Sequence, residues 1–192
     1  MSQRKFWMRW RVRVGYPVAV VYWLLARPTL HSMLYGTIVV AFGLIVRAVA
    51  SGHLRKDREL ATTGPYGCTR NPLYLGSALL AAGFVVAGHS WIAGAVVAAY
   101  FGIFYYAVMR NEEEDLRARF GVAFDNYAAR VPLFFPRGPK ETVLSGVCAS
   151  EPNTKFSWSQ YLGNREYKAT LGAIAGMAIV CLRMWMRTRW GL

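Results

Sequence analysis

Long apolar runs alternate with short polar or basic connections along most of this chain. Val14 to Ala26 is apolar but short, about 20 Å as a helix at ~1.5 Å per residue. Arg27-Pro28 breaks it, and Leu30 to Ala50 follows as a run long enough to cross a bilayer. Ser51 to Arg70 is a polar loop. Pro72 to Gly88 and Trp91 to Met109 are two further apolar runs, separated only by His89-Ser90, so the pattern predicts an antiparallel helical hairpin. Arg110 to Arg130 has the pattern of a continuing amphipathic helix, with Glu113–Arg117 and Asp115–Arg119 at i,i+4 spacing and the acid placed first. The segment Val131 to Pro139 is proline-rich and ends it. Lys140 to Lys168 is polar and irregular at first. Ala169 to Leu182 is a last apolar helix, short for a span, with Gly172 and Gly176 in a small-xxx-small pattern suited to helix packing. The pattern predicts an all-α, multi-pass transmembrane bundle of four to five spans, forming one domain over residues 1–192.

Composition agrees: 55% of the residues are hydrophobic and 17% charged, with seven Trp, eleven Tyr and ten Phe. The net charge of +13 would suggest nucleic acid in a soluble protein. Here the basic residues flank apolar runs, so topology and anionic headgroups account for them, and no nucleic-acid partner is expected. Basic and aromatic residues alternate in the first 13 positions and suit an interfacial anchor. The basic start leads into an apolar run without a clear small-residue cleavage site, so no cleavable signal peptide is expected. The basic N-terminus, the 51–70 loop and the 110–168 segment belong on the cytoplasmic side by the positive-inside rule. The last helix conflicts with it, because spanning would put Arg183, Arg187 and Arg189 outside. Arg47, near the end of its run, is expected to snorkel to the surface. Cys68, Cys148 and Cys181 show neither disulfide nor metal-ligand spacing, nor do His31 and His53 with His89, and no metal is expected.

Chemistry concentrates in Thr63 to Gly76, a turn-forming stretch that runs straight into an apolar helix. Asn71 fits a helix N-cap and Pro72 the first helical position. Arg70 stands just before that helix end, which attracts anions, and Tyr66 and Tyr74 flank it. The hairpin brings Glu112-Glu113-Glu114-Asp115 to the same side. The bland reading of these carboxylates is a solvated acidic face, and of the tyrosines an interfacial belt. The functional reading is a pocket for a ligand with both charges. Carboxylates would take an ammonium or ribose hydroxyls, Arg70 a carboxylate, and the tyrosine faces a cation.

Gly64-Pro65-Tyr66, then Arg70-Asn71-Pro72-Leu73-Tyr74-Leu75-Gly76, an apolar hairpin and Glu112-Glu113 together resemble the isoprenylcysteine carboxyl methyltransferase and phospholipid methyltransferase family. Leu116, Phe120-Gly121, Tyr127 and Arg130-Val131-Pro132 continue the match through a motif core of 63–136, leaving 137–192 as a C-terminal extension. The resemblance implies an integral membrane enzyme that transfers a methyl group from S-adenosylmethionine to a lipid-like acceptor. It implies cofactor contacts at Tyr66, Arg70, Asn71, Tyr74, Gly76, Glu112 and Glu113, with Arg70, Tyr74 and Glu113 in the catalytic set. Many relatives have His where this chain has Asn71, which cannot titrate near neutral pH, so no general base is assigned there. The acceptor stays open among a prenylated cysteine carboxylate, a phospholipid amine, a thiol or a lipid alcohol. The competing readings are a sterol-type NADPH-dependent membrane reductase and a non-catalytic lipid-binding protein. The aromatic residues Phe156, Trp158, Tyr161 and Tyr167 fit the interface better than the site.

Overall fold

The structure, a computed structural model, describes residues 3–54, 59–136 and 156–190. Among these there is helix and no strand. In chain order the helices are α1 (Gln3–Leu25), α2 (Leu30–His53), α3 (Pro65–Cys68), α4 (Pro72–Gly88), α5 (Trp91–Phe120), α6 (Val122–Arg130), α7 (Trp158–Gly163) and α8 (Tyr167–Trp190). The basic residues Arg55, Lys56 and Arg58, Cys148 and most of the irregular Lys140–Lys168 stretch lie outside the described residues.

Three helices, α2, α5 and α8, are long and apolar enough to cross a membrane, and α4 is apolar but has 17 residues. The chain is therefore an integral membrane protein of all-helical class. Among the described residues the five longest helices are α1, α2, α4, α5 and α8. Arg27 N donates to Gly88 O (2.7 Å), which joins the far ends of α1 and α4. Glu166, just before α8, meets Arg47 of α2 at one end, and Arg183 of α8 donates to Leu24 O (3.2 Å) at the other.

Two expectations about length change. The first apolar run is part of one 23-residue helix, α1, which also takes in the basic N-terminal residues and continues through Pro17. The last helix is 24 residues and not short, because it continues past Leu182 through its arginines. Arg183 lies over the Trp23 ring (4.9 Å) as well as on the Leu24 carbonyl. That cation–π and carbonyl contact explains how a basic residue is kept at this end of the bundle.

The connections follow local chemistry. Thr29 caps α2 in a full capping box with Ser32. His89 takes the left-handed conformation (φ 46°) after α4, and the Ser90 side chain caps α5. The expected continuous helix from Arg110 to Arg130 is broken at Gly121, whose φ of 52° a side chain would disfavour. The break turns α6 back, and Arg117 pairs with Asp125 of α6 (2.7 Å) in place of the expected pairing with Glu113.

The tightest packing is between α2 and α4. A Cβ on Gly36 would lie 2.7 Å from Gly83 O, one on Gly43 3.0 Å from Gly76 O, and one on Gly83 2.8 Å from Val40 N. Backbone meets backbone along this seam, which is how helices associate where water supplies no driving force. Ser32 Oγ adds a bond to Ala87 O (3.0 Å) at its far end. The small residues expected to pack in α8 behave differently. Gly176 faces the Phe84 ring, and Gly172 has nothing within 4 Å.

Gly83→Val is expected to destabilise the protein by about 1–3 kcal/mol, the usual cost of overpacking. Gly102 has no neighbour within 4 Å, so Gly102→Val serves as the helical control. Thermal unfolding in detergent should show a clear fall for the first and little change for the second.

Candidate functional site

The site lies at the end of the bundle where α2 finishes, α4 starts and α5 projects beyond the hairpin. It is a cavity of about 570 Å³. Among the residues expected from sequence, Tyr66, Arg70, Asn71, Tyr74, Glu112 and Glu113 all line it. Gly76 does not. A Cβ there would lie 2.5 Å from Arg47 Cγ and 3.0 Å from Gly43 O, so Gly76 lets α2 approach α4.

Glu113 is the electrostatic centre. It is 5% exposed and buried in the wall. One carboxylate oxygen meets Arg70 Nη1, and the other accepts from Arg110 Nη1 at 2.9 Å. Arg70 comes from the turn before α4 and Glu113 from α5, so the hairpin is what brings them together. A buried carboxylate is tolerated only when paired in this way. Arg70 Nε has no hydrogen-bond partner among the described residues and is buried.

Glu112 accepts from the Tyr74 hydroxyl (2.9 Å). Tyr74 stands edge-on to Tyr105 (5.8 Å), which stacks on Phe101 (3.9 Å). The Arg11 guanidinium of α1 lies 5.5 Å from the Tyr105 centroid. An aromatic wall thus adjoins the acidic one, with π-faces of the kind that attract cations.

The motif turn is clasped by the chain after α6. Arg70 N donates to Pro132 O (2.9 Å) and Thr69 Oγ1 to Phe134 O (2.9 Å). Asn71 occupies the cap position of α4, but its side chain does not cap. Its Nδ2 donates to Leu133 O at 3.0 Å. Asn71 therefore ties the clasp to the turn, a use that needs a donor and no titration. Tyr127 OH donates to Tyr66 O (2.7 Å), within an apolar cluster of Phe124, Tyr127 and Val131 packed by Leu60, Leu116 and Phe120.

Two cavity residues escaped sequence reasoning. Arg47 does not snorkel. Its Nε and Nη2 make a bidentate pair with Glu166 (2.9–3.1 Å), and Nη1 reaches Ser77 Oγ (2.5 Å) and Leu73 O (3.3 Å). Glu166 belongs to the segment beyond the recognised motif. A basic residue at the end of one apolar run and an acid before another was the available signal. Of the four distal aromatics, Phe156, Trp158 and Tyr167 are exposed, and the Phe156 ring also lies against Gly52.

The phospholipid methyltransferase family model matches residues 29–123. That segment carries the α2–α4 seam, the motif turn and the paired glutamates. The matched segment belongs to the phospholipid methyltransferase family. Similar curated proteins are the nickel-cobalt-cadmium resistance protein NccN of Alcaligenes xylosoxydans xylosoxydans and the cobalt-zinc-cadmium resistance protein CzcN of Cupriavidus metallidurans. They are 42% and 41% identical over 83 residues, each match covering 43% of this chain and 38% of the relative. The aligned stretch thus spans well under half the length of these relatives. No solved structure matches the chain. The family segment contains every expected site residue from Tyr66 to Glu113, whereas Tyr127, Val131 and Glu166 lie beyond it.

Burial pushes the Tyr66 phenol well above its usual range, and Glu112 acts in the same direction. Burial also raises Tyr127, against an opposing pull from Arg70. Both phenols therefore hold their protons in the folded protein at pH values where an unfolded tyrosine, near pH 10, loses them. Their stabilising contribution is complete below about pH 10 and is lost as pH rises toward their folded-state values. Melting temperature is expected to fall between pH 9 and 11, and Tyr127→Phe should show a shallower fall.

Asn71→Ala would remove the shorter of two donors to the half-buried Leu133 carbonyl, leaving Thr69 Oγ1 at 3.4 Å, at about 0.5–1.5 kcal/mol. Faster amide exchange confined to the Val131–Phe134 clasp and the motif turn is the expected outcome.

Proposed function

We propose that this protein is an S-adenosylmethionine-dependent methyltransferase acting on a lipid-like acceptor, with residues 1–192 as one membrane-embedded catalytic domain. The observation that carries the reading is the convergence of Arg70, Tyr74, Glu112 and Glu113 on one cavity inside a segment of the phospholipid methyltransferase family. The family name supports methyl transfer, and the donor set fits the cofactor. Among the described residues four arginines and five carboxylates line the cavity, Arg11, Arg47, Arg70 and Arg119 against Glu59, Glu112, Glu113, Asp115 and Glu166. This formal excess of one negative charge suits a ligand carrying a sulfonium, an ammonium and one carboxylate. The buried Arg70 Nε offers a donor to that carboxylate.

S-Adenosylmethionine, when bound, would supply an electrophilic methyl group on a sulfonium. The chain's own work is positioning. Arg70, fixed by Glu113, would hold the carboxylate end. Glu112, oriented by Tyr74, would take hydroxyl or ammonium donors. The face of Tyr74 or Tyr105 would lie toward positive charge. Arg70, Tyr74 and Glu113 form the proposed catalytic set, supported by Asn71 through the clasp and by Tyr66 through its bond from Tyr127. A carboxylate acceptor needs no base for attack on a methyl group, and an amine acceptor must lose a proton. The proposed orientation puts the N-terminus and the cavity in the cytoplasm, on the charge asymmetry of the flanks.

The names of the relatives speak of metal resistance in those proteins. Among the described residues no group of three or more His, Cys, Asp or Glu is placed to hold a metal ion.

Calorimetric titration of the protein in nanodiscs is expected to show S-adenosylmethionine binding. Glu112→Gln and Arg70→Ala should each weaken it about tenfold or more, equivalent to about 1.4 kcal/mol. Unchanged affinity in both variants would remove the site assignment. Binding of NADPH in place of S-adenosylmethionine would favour a reductase. Mass spectrometry of lipids after incubation with a labelled methyl donor then identifies the acceptor.

A further inference from the structure

A second cavity, about 340 Å³ and almost wholly apolar, lies deeper in the bundle. Val18 and Trp23 of α1, Phe84 of α4, Phe101 of α5 and Ile179 and Val180 of α8 are among its walls. It shares Ser77 and Tyr105 with the polar cavity, so these two residues form a common partition. Arg47 donates to one of them, Ser77 Oγ, from the polar side. Arg11 lies over the other, Tyr105. Two guanidinium groups therefore stand where an apolar chamber meets a polar one.

Arg47 presents one edge, Nε and Nη2, to Glu166 in fork-to-fork geometry. The pair is 19% and 12% exposed, and both residues line the polar cavity, so it faces the space and is not sealed in a core. The carboxylate arrives from outside the family segment, just before α8. It follows Arg165, a non-glycine residue held at φ 57°. The fork that takes this carboxylate is equally suited to another carboxylate or a phosphate.

We propose that Arg47 is a specificity-determining residue that anchors the anionic head of an amphiphile whose tail occupies the apolar chamber, and that Glu166 is an internal placeholder displaced by that head. The inference rests on the methyl-transfer reading only in identifying this amphiphile with the methyl acceptor. A carboxylate and a phosphate share the required chemistry.

The placeholder relation makes a prediction of sign that a structural strut does not. Removing Arg47 weakens binding of the anion, whereas neutralising Glu166 removes its competitor and strengthens it. The test uses the full chain in nanodiscs of zwitterionic lipid. Brominated ten-carbon probes with a carboxylate, a phosphate or an alcohol head quench tryptophan fluorescence, and Trp23 lines the chamber. The wild type is expected to bind at least one anionic probe tenfold or more tighter than the alcohol, and the tighter of the two names the head. Arg47→Gln should lose that preference, and Glu166→Gln should bind the anion at least threefold tighter. Where Arg47→Gln does not fold, Arg47→Lys replaces it, with a severalfold loss expected from the missing fork.

The proposal is overturned by weaker or unchanged binding in Glu166→Gln, by failure of that variant to fold, or by equal affinity of the wild type for all three heads. S-Adenosylmethionine titration of the same samples separates the two readings. Opposite signs without cofactor binding keep Arg47 as an anion anchor and remove the methyl-transfer reading. Cofactor binding without opposite signs does the reverse.

Discussion

The approach of α2 to α4 is the constraint on which the rest of the structure depends. Gly36 and Gly43 on one helix and Gly76 and Gly83 on the other let the two backbones touch. In a lipid environment such contact replaces the hydrophobic drive that packs helices in water. Its end near the site is finished by Arg47, whose aliphatic stem crosses Gly76 and whose guanidinium reaches Leu73, Ser77 and Glu166. The seam therefore fixes where α4 begins, and with it where Arg70 and Tyr74 stand. The hairpin through His89-Ser90 then sets the register of α5 against α4, which brings Glu112 and Glu113 to the same end.

Three of the polar pairs at that end join distant parts of the chain. Glu113 of α5 meets Arg70 of the motif turn, Glu112 of α5 meets Tyr74 of α4, and Arg47 of α2 meets Glu166 before α8. A charge buried near apolar surface is costly unless it is paired. These pairs form only when the helices are in place, so the site and the fold are coupled. The clasp of residues 131–134 adds main-chain bonds to the same turn, which explains why Asn71 serves as a donor there and not as a cap.

Local features of this arrangement were legible in the sequence, and long-range ones were not. The start of α4 at Pro72, the two-residue hairpin and the polar stretch opposite Glu112 and Glu113 followed from turn chemistry and hydropathy. The Glu113–Arg117 pairing followed from helical spacing and was wrong, because Gly121 turns α6 back and gives Arg117 a nearer acid in Asp125. Gly76 looked like a ligand contact because it sits in the motif. Its neighbour is α2, which only the seam reveals. Arg47 looked like an ordinary flank residue because its partner lies 119 positions away, and no local rule connects the two.

The two cavities differ in what can enter them, and their shared wall decides how they relate. The polar one is bounded by arginine and carboxylate side chains around the motif turn. The apolar one is bounded by four of the long helices and carries almost no polar surface. Ser77 and Tyr105 belong to both, and each is engaged by an arginine from a different helix, α2 or α1. A molecule with one charged and one greasy end would satisfy both chambers at once across that wall, and a wholly polar or wholly apolar molecule would satisfy only one. The partition thus links the family's polar motif to helices outside the matched segment, α1 and α8, and makes those helices part of the site's chemistry as well as of its packing.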